Sequence, residues 1–188
     1  VGAGERFDEA QVAIGADDDV ALLQRWAGLA IAGINPAQRI FILEGRAATG
    51  KSTFARIMQM LVGIENTAQL RTALLFERFE VFRFIDKTLL LAPDVPGDFL
   101  NRPSAAALKS LVGGDPLTAE AKGSNAVFTL AGNFNILITA NARLRVRLDG
   151  DAGAWRRRIT IIRFENPSPA RRVPNFGDTL VAKEGPGI

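Results

Sequence analysis

The residues best placed to do chemistry are Gly45, Arg46, Ala47, Ala48, Thr49, Gly50, Lys51 and Ser52, which fit G-x-x-x-x-G-K-[ST] and are followed by Thr53. Glycines at 45 and 50 leave the backbone free of Cβ atoms where it must wrap an anion. Backbone amides and a helix N-terminus would then face a phosphate. Lys51 would reach the β- and γ-phosphates, and the Ser52 hydroxyl would sit on Mg²⁺. The whole stretch 45–53 is read as a nucleotide-binding P-loop. The bland alternative is a glycine-rich turn with a surface lysine.

Such a loop must be carried between a strand and a helix, and the flanks fit. An apolar run over 39–44 reads as the strand, and a helix-compatible segment runs from Phe54 to Leu61 and ends near Gly63. Upstream, Asp17-Asp18-Asp19 opens a helix in which Leu22, Leu23, Trp26, Leu29 and Ala30 recur at helical spacing. Asn35-Pro36 marks a turn. A second helix is expected from Asn66 or Thr67, carrying Leu70, Leu74 and Leu75. Phe76, Phe79, Phe82 and Phe84 mix periods of two and three; they read as core, with base stacking as the minor alternative. The continuous apolar runs 88–92 and 135–140 suit strands buried on both faces. Ser104 is placed to cap a helix over 105–111. Residues 117–121 and 126–130 flank Lys122-Gly123-Ser124-Asn125 and predict a hairpin with a basic tip. A short helix over 152–157 and a last strand through Ile159, Ile161 and Phe164 complete the chain's regular elements. Strands alternating with helices predict an α/β fold with a mostly parallel central sheet, flanked by helices and interrupted by the hairpin.

Composition narrows the chemistry further. With 188 residues, 47% hydrophobic and 23% charged, the chain can bury a real core as one domain. It has no cysteine and no histidine, which argues against disulfides, a zinc site or an imidazole base. The net charge is +3 and the pI about 9.8. That pI largely reflects the lack of groups titrating between carboxylates and lysines. Distribution says more: nine arginines (143, 145, 147, 156, 157, 158, 163, 171 and 172) face only Asp149, Asp151 and Glu165. A basic C-terminal third could hold phosphates of nucleotide or DNA. No apolar run approaches the roughly 20 residues of a membrane span, so no membrane partner is expected.

A P-loop works with an acid at the end of a nearby strand. Asp94, after Leu89-Leu90-Leu91, is the candidate, as a catalytic residue and as a metal ligand beside Ser52. Asn141, at the end of the strand through Ile138-Thr139-Ala140, could orient a water near the γ-phosphate. Trp155-Arg156-Arg157-Arg158 could supply an arginine to the charge that develops in phosphoryl transfer. Alone, Asp94 could be a turn residue, Asn141 a strand terminator and the arginines a solvated surface.

Their order is more specific than any one of them. Gly45 to Ser52, Leu89 to Asp94, Leu108-Lys109-Ser110-Leu111-Val112-Gly113-Gly114-Asp115, Lys122, Ile138 to Asn141, and Trp155-Arg156-Arg157-Arg158 to Phe164 together resemble the superfamily 3 helicase domain of phage and plasmid primase-helicases, a group related to the poxvirus primase-helicases. The resemblance covers roughly 17–188. It implies an AAA+-like P-loop NTPase whose cofactors are ATP and Mg²⁺, with ATP hydrolysed at the subunit boundaries of a hexameric ring. Lys51, Asp94 and Asn141 would serve one face of the site. Arg157 or Arg158 would reach in from the next subunit. Lys122 would touch single-stranded or forked DNA from a hairpin in the pore. Lys109 and Asp115 belong to the block before that hairpin, with DNA, nucleotide and fold all open as their role. The resemblance also implies a cytoplasmic replication protein encoded by a phage, plasmid or prophage in a bacterial host, working with a primase domain or other replication partners. On this reading 1–16 is a lead-in, 17–166 the ATPase core, and 167–188 a truncated C-terminal extension.

The pattern departs from that family twice. No proline comes after Asn141 until Pro167, so the family's loop geometry does not carry over there. Asp94 stands without a second acid beside it, which bears on the rate of hydrolysis and not on nucleotide binding. Three rivals remain at this level: a P-loop ATPase that acts on protein, a ring component that uses nucleotide for stability with little hydrolysis, and a small-molecule kinase, for which no acceptor-binding segment is evident.

Overall fold

The computed structural model describes residues 16–75, 77–123, 125–145, 152–166 and 173–187. Among the described residues, seven strands form two sheets. β1 (Ile40–Glu44), β2 (Thr67–Gln69), β3 (Leu89–Ala92), β6 (Asn135–Ala140) and β7 (Ile159–Arg163) make a five-stranded sheet in the order β2-β3-β6-β1-β7. All four pairings within it are parallel. β4 (Pro116–Glu120) and β5 (Val127–Ala131) pair antiparallel as a separate hairpin. The expected α/β fold with a central parallel sheet and a hairpin insertion is therefore the fold observed.

The central strands are buried on both faces, and their alternation sorts the core into two layers. Phe41, Leu43, Leu89, Leu137 and Ile162 turn to one side, under helices α1 (Ala16–Ile31) and α2 (Lys51–Val62). Trp26 of α1 stacks on Phe41 there, with ring centroids 5.0 Å apart. Ile40, Ile42, Leu90, Ala92, Ile136 and Ile138 turn to the other side, against α3 (Ala105–Gly113), Phe84, Phe99 and Trp155. A sheet packed on both sides holds the carboxyl ends of its strands in fixed relation. Those ends carry the chemistry.

Two expectations need correcting. The segment from Asn66 is not a helix: Thr67, Ala68 and Gln69 pair in register with Leu89, Leu90 and Leu91, and a short 3₁₀ turn at Thr72–Leu74 comes next. The spacing of Leu70, Leu74 and Leu75 mimics a helix face, but backbone pairing to β3 overrides it. Ser104 precedes α3 as expected, yet its side chain makes no capping hydrogen bond.

The phenylalanines divide. Phe84 is fully buried in the core, whereas Phe82 packs on Phe128 of the hairpin at 5.6 Å and Phe79 is 38% exposed. Phe76 lies outside the described residues. The segment carrying them is pinned by Glu80, a buried carboxylate that accepts from both Arg71 and Arg83. Arg78 then donates to Glu120 of β4 at 2.7 Å, a contact that joins this segment to the hairpin.

Residues 1–15 of the lead-in and 167–172 and 188 of the extension lie outside the described residues. The rest of the extension holds α5 (Phe176–Glu184), which docks on α2. Gly177 packs against Thr53 and Ile57, and Arg56 donates to Asp178 at 2.8 Å. No helix among the described residues is long and apolar enough to cross a membrane.

Candidate functional site

The loop between β1 and α2 is shaped by what its residues lack. A Cβ on Gly45 would lie 2.2 Å from the carbonyl oxygen of Phe164, so only glycine lets the loop leave β1 beside β7. Gly50 sits in the left-handed region, φ 98°, where it turns the chain into α2 and faces open space. Ala48 also has a positive φ, 64°, a conformation that alanine does not favour. Helix α2 begins at Lys51 with no side-chain cap and no acid in its first turn. Its first amides and its dipole are therefore left for an anion.

Lys51 is buried, 4% exposed, and its ammonium donates to the carbonyls of Gly45 at 2.7 Å and Arg46 at 2.6 Å. Burial lowers its pKa from the ordinary 10.5, while the Asp94 carboxylate acts in the opposite direction. Ser52 and Thr53, the next two residues, are exposed and half-buried respectively.

Asp94 comes just after β3 and is separated from β1 by β6, so its strand is next but one to the loop's. It adopts φ 50°, and its N–H donates to Thr139 Oγ1 at 3.0 Å. Asn141, at the end of β6, donates from Nδ2 to Asp94 Oδ1 at 2.9 Å. Lys51, Asp94 and Asn141 are thus gathered at the carboxyl ends of β1, β3 and β6. In open α/β sheets that end of the strands is where ligands bind.

A phosphate chain fits this place on two grounds. The helix N-terminus is uncapped, and the buried ammonium now satisfies itself on loop carbonyls that a phosphate oxygen could replace. Among the described residues no group of three or more His, Cys, Asp or Glu side chains gathers as a metal cage. Ser52 and Asp94 would hold a cation jointly with phosphate oxygens and water, which suits Mg²⁺.

The two arginines part company. Arg157 is exposed, whereas Arg158 is 8% exposed and its guanidinium lies beside Gly113. Of the pair, only Arg157 is exposed. Arg147, Arg171 and Arg172 lie outside the described residues.

Lys122 is exposed at the turn of the β4–β5 hairpin, next to Gly123 with φ 78°. The block that precedes the hairpin anchors it. Gly114 N–H donates to Gly132 O at 2.8 Å, and Gly132 N–H to Asp115 O at 2.9 Å. Lys109 lies over the Trp155 ring at 5.4 Å. Lys109 and Asp115 are thus tied into the packing around the hairpin's base.

Two residues of the site carry no motif of their own. Thr139 receives the Asp94 amide, and Glu44, buried at the end of β1, accepts the N–H of Leu144 at 2.9 Å. Glu44 also borders a polar cleft of about 510 Å³ that includes Arg46, Asn141, Arg143, Arg163 and Glu165. The one signal for Glu44 in the sequence is a charge closing an otherwise apolar strand.

Among solved structures, the chain is similar to an apo form of the NrS-1 C-terminal region, with a TM-score of 0.61 and 18% identity over 86% of this chain and 37% of that one. It is likewise similar to JCV helicase bound to a thiazolopyridine-containing acetamide, with a TM-score of 0.60 and 18% identity over 91% of this chain and 47% of that one. A further JCV helicase structure gives 0.53 and 16% over 90% and 44%. The chain therefore spans less than half the length of each. At these identities the likeness shows a shared fold. No curated protein matches the sequence. Residues 43–158 match the model of a family of unknown function, DUF5906, and the chain belongs to that family.

Proposed function

We propose that this member of DUF5906 is an ATP-dependent DNA helicase motor from a phage or plasmid replication protein, with ATP hydrolysed between the subunits of a hexameric ring. The observation that carries the reading is the meeting of Lys51, Asp94 and Asn141 at one end of the sheet, with the Asp94–Asn141 contact at 2.9 Å. Bound ATP with Mg²⁺ would supply the free energy of phosphate cleavage. Lys51 and the first amides of α2 would hold the phosphates, and Ser52 and Asp94 the cation. Asn141 would orient the attacking water. Arg157, being exposed, is the arginine we assign to the neighbouring subunit's site.

The same core carries the hairpin, and Lys122 at its tip would meet the DNA backbone. A lysine contacts phosphate as a point charge without reading bases, so binding would be salt-sensitive and largely independent of sequence. A primase domain and other replication partners belong to the same proposal, as does a site of action in the host cytoplasm.

The test is ATP turnover with and without single-stranded DNA, alongside the mass of the assembly. We expect a hexamer whose turnover rises with DNA. Lys122→Ala should retain ATP binding and lose that rise. Turnover indifferent to DNA would favour action on protein. Nucleotide binding with no turnover would favour a nucleotide-stabilised ring, a reading to which the lone acid at 94 lends weight.

A further inference from the structure

We propose that Glu44 is a positioning residue that ties the root of the P-loop to the loop bearing Asn141, and so lets the site distinguish a nucleoside triphosphate from a diphosphate. This deepens the nucleotide reading above and rests on it. Glu44 closes β1 one residue before the P-loop, and its side chain is 8% exposed. A carboxylate so deep is costly to bury unless it is hydrogen-bonded. Its Oε2 accepts the N–H of Leu144 at 2.9 Å, and its Oε1 faces Arg163 Nε at 3.9 Å. Leu144 is itself buried, three residues beyond Asn141.

The far side of that loop is held just as firmly. Arg145 N–H donates to Gly97 O at 2.7 Å, and Asn101 Nδ2 donates to Arg145 O at 2.9 Å. Gly97 is needed there, because a Cβ on it would lie 2.6 Å from Arg143 O. Residues 141–145 are therefore strung between the strand that feeds the P-loop and the segment just beyond Asp94. These contacts hold a loop that contains no proline. If Glu44 lets go, Leu144 N–H loses its buried acceptor, and Asn141 shifts relative to Lys51. A diphosphate held by Lys51 and the helix amides would not register that shift; a third phosphate reaching Asn141 would.

The experiment measures Kd by calorimetry, in Mg²⁺, for ADP and for a non-hydrolysable ATP analogue. Glu44→Leu should weaken the analogue by about tenfold or more, the scale of a hydrogen bond to a charged group, and leave ADP within about twofold. Glu44→Gln, whose carbonyl oxygen can still accept the Leu144 N–H, should restore most of the difference. Should Glu44→Leu not fold, Glu44→Asp, one methylene too short to reach, gives the same comparison. Equal weakening of both ligands, an unchanged ratio, or a Gln variant as impaired as Leu would overturn the assignment. A wild-type chain that binds neither ligand would instead remove the nucleotide reading on which it stands.

Discussion

Replacing Gly132 by alanine tests whether the hairpin is held by contact or by backbone conformation. An added Cβ would lie 1.8 Å from Ser110 O, 2.8 Å from Ser110 C and 3.2 Å from Asp115 O. These are backbone atoms of α3 and of the turn after it, so no rotamer change relieves them. Reaching the ordinary 3.4 Å means opening the gap by about 1.6 Å. That opening breaks the Gly114–Gly132 and Gly132–Asp115 hydrogen bonds. Two hydrogen bonds at about 1 kcal/mol each, plus overpacking of about 1–3 kcal/mol, give a loss of roughly 3–5 kcal/mol. For a chain this long that corresponds to a fall in Tm of about 6–20 °C. Gly114→Ala is the control: its φ is 83° but its Cβ would meet open space, so only the left-handed penalty of about 1–2 kcal/mol applies. The assay is thermal unfolding monitored by tryptophan fluorescence. Trp155 packs under Lys109, one residue from Ser110, and reports the α3 side, while Trp26 reports the α2 side. Surviving Gly132→Ala protein should bind nucleotide normally and respond poorly to DNA. A Tm within about 1 °C of wild type, or a Gly114→Ala loss larger than that of Gly132→Ala, would refute the reasoning.

The site itself sets three further outcomes. Lys51 is protonated at a cost in the folded chain, its pKa being lowered from 10.5 by burial, so unliganded stability should rise as pH climbs through the lowered value toward 10.5. Over that window nucleotide affinity should fall, and Lys51→Met should abolish both trends in unfolding and binding titrations. Asp94→Asn removes the charge that raises the Lys51 pKa, so the same alkaline transition should move lower, and Mg²⁺ should no longer strengthen nucleotide binding when titrated. Arg157→Ala should change stability by no more than about 0.5 kcal/mol while stopping turnover in the assembly, whereas Arg158→Ala, at a buried position, should lose about 2 kcal/mol or more in urea unfolding.

Much of the scaffold was legible because it is written locally. Glycines at 45 and 50, the apolar runs of β1, β3 and β6, and the polar residues that end them are each short signals with a direct physical reading. Residues whose role depends on distant partners left less trace. Thr67 to Gln69 carry no strand pattern of their own; they are a strand because β3 offers an unpaired edge. The five-strand order, which puts β6 between the P-loop strand and the strand of Asp94, is likewise a property of packing and not of any segment. Glu44 and Leu144 meet across a sequence separation of 100, and Asp94 and Thr139 across 45.

The paired arginines show where local reading stops most sharply. Arg157 and Arg158 are chemically identical neighbours, and in the sequence their spacing to Phe164 does not tell them apart. The structure separates them by their backbone partners and by the direction of the chain into β7. Arg158 donates its N–H to Trp155 O and offers its own carbonyl to Ile40, so it is already committed to the entry into β7. That entry turns its side chain inward toward Gly113, at the end of α3. Arg157, one residue earlier in the turn after α4 (Ala152–Arg156), stays outside. A buried arginine that donates to Ala154 O at 3.3 Å and lies beside Gly113 does not project from the surface. Its position puts the guanidinium between the end of α3 and the turn that enters β7, the edge strand beside β1. One residue apart, the first arginine faces outward and the second is built into the packing between α3 and β7.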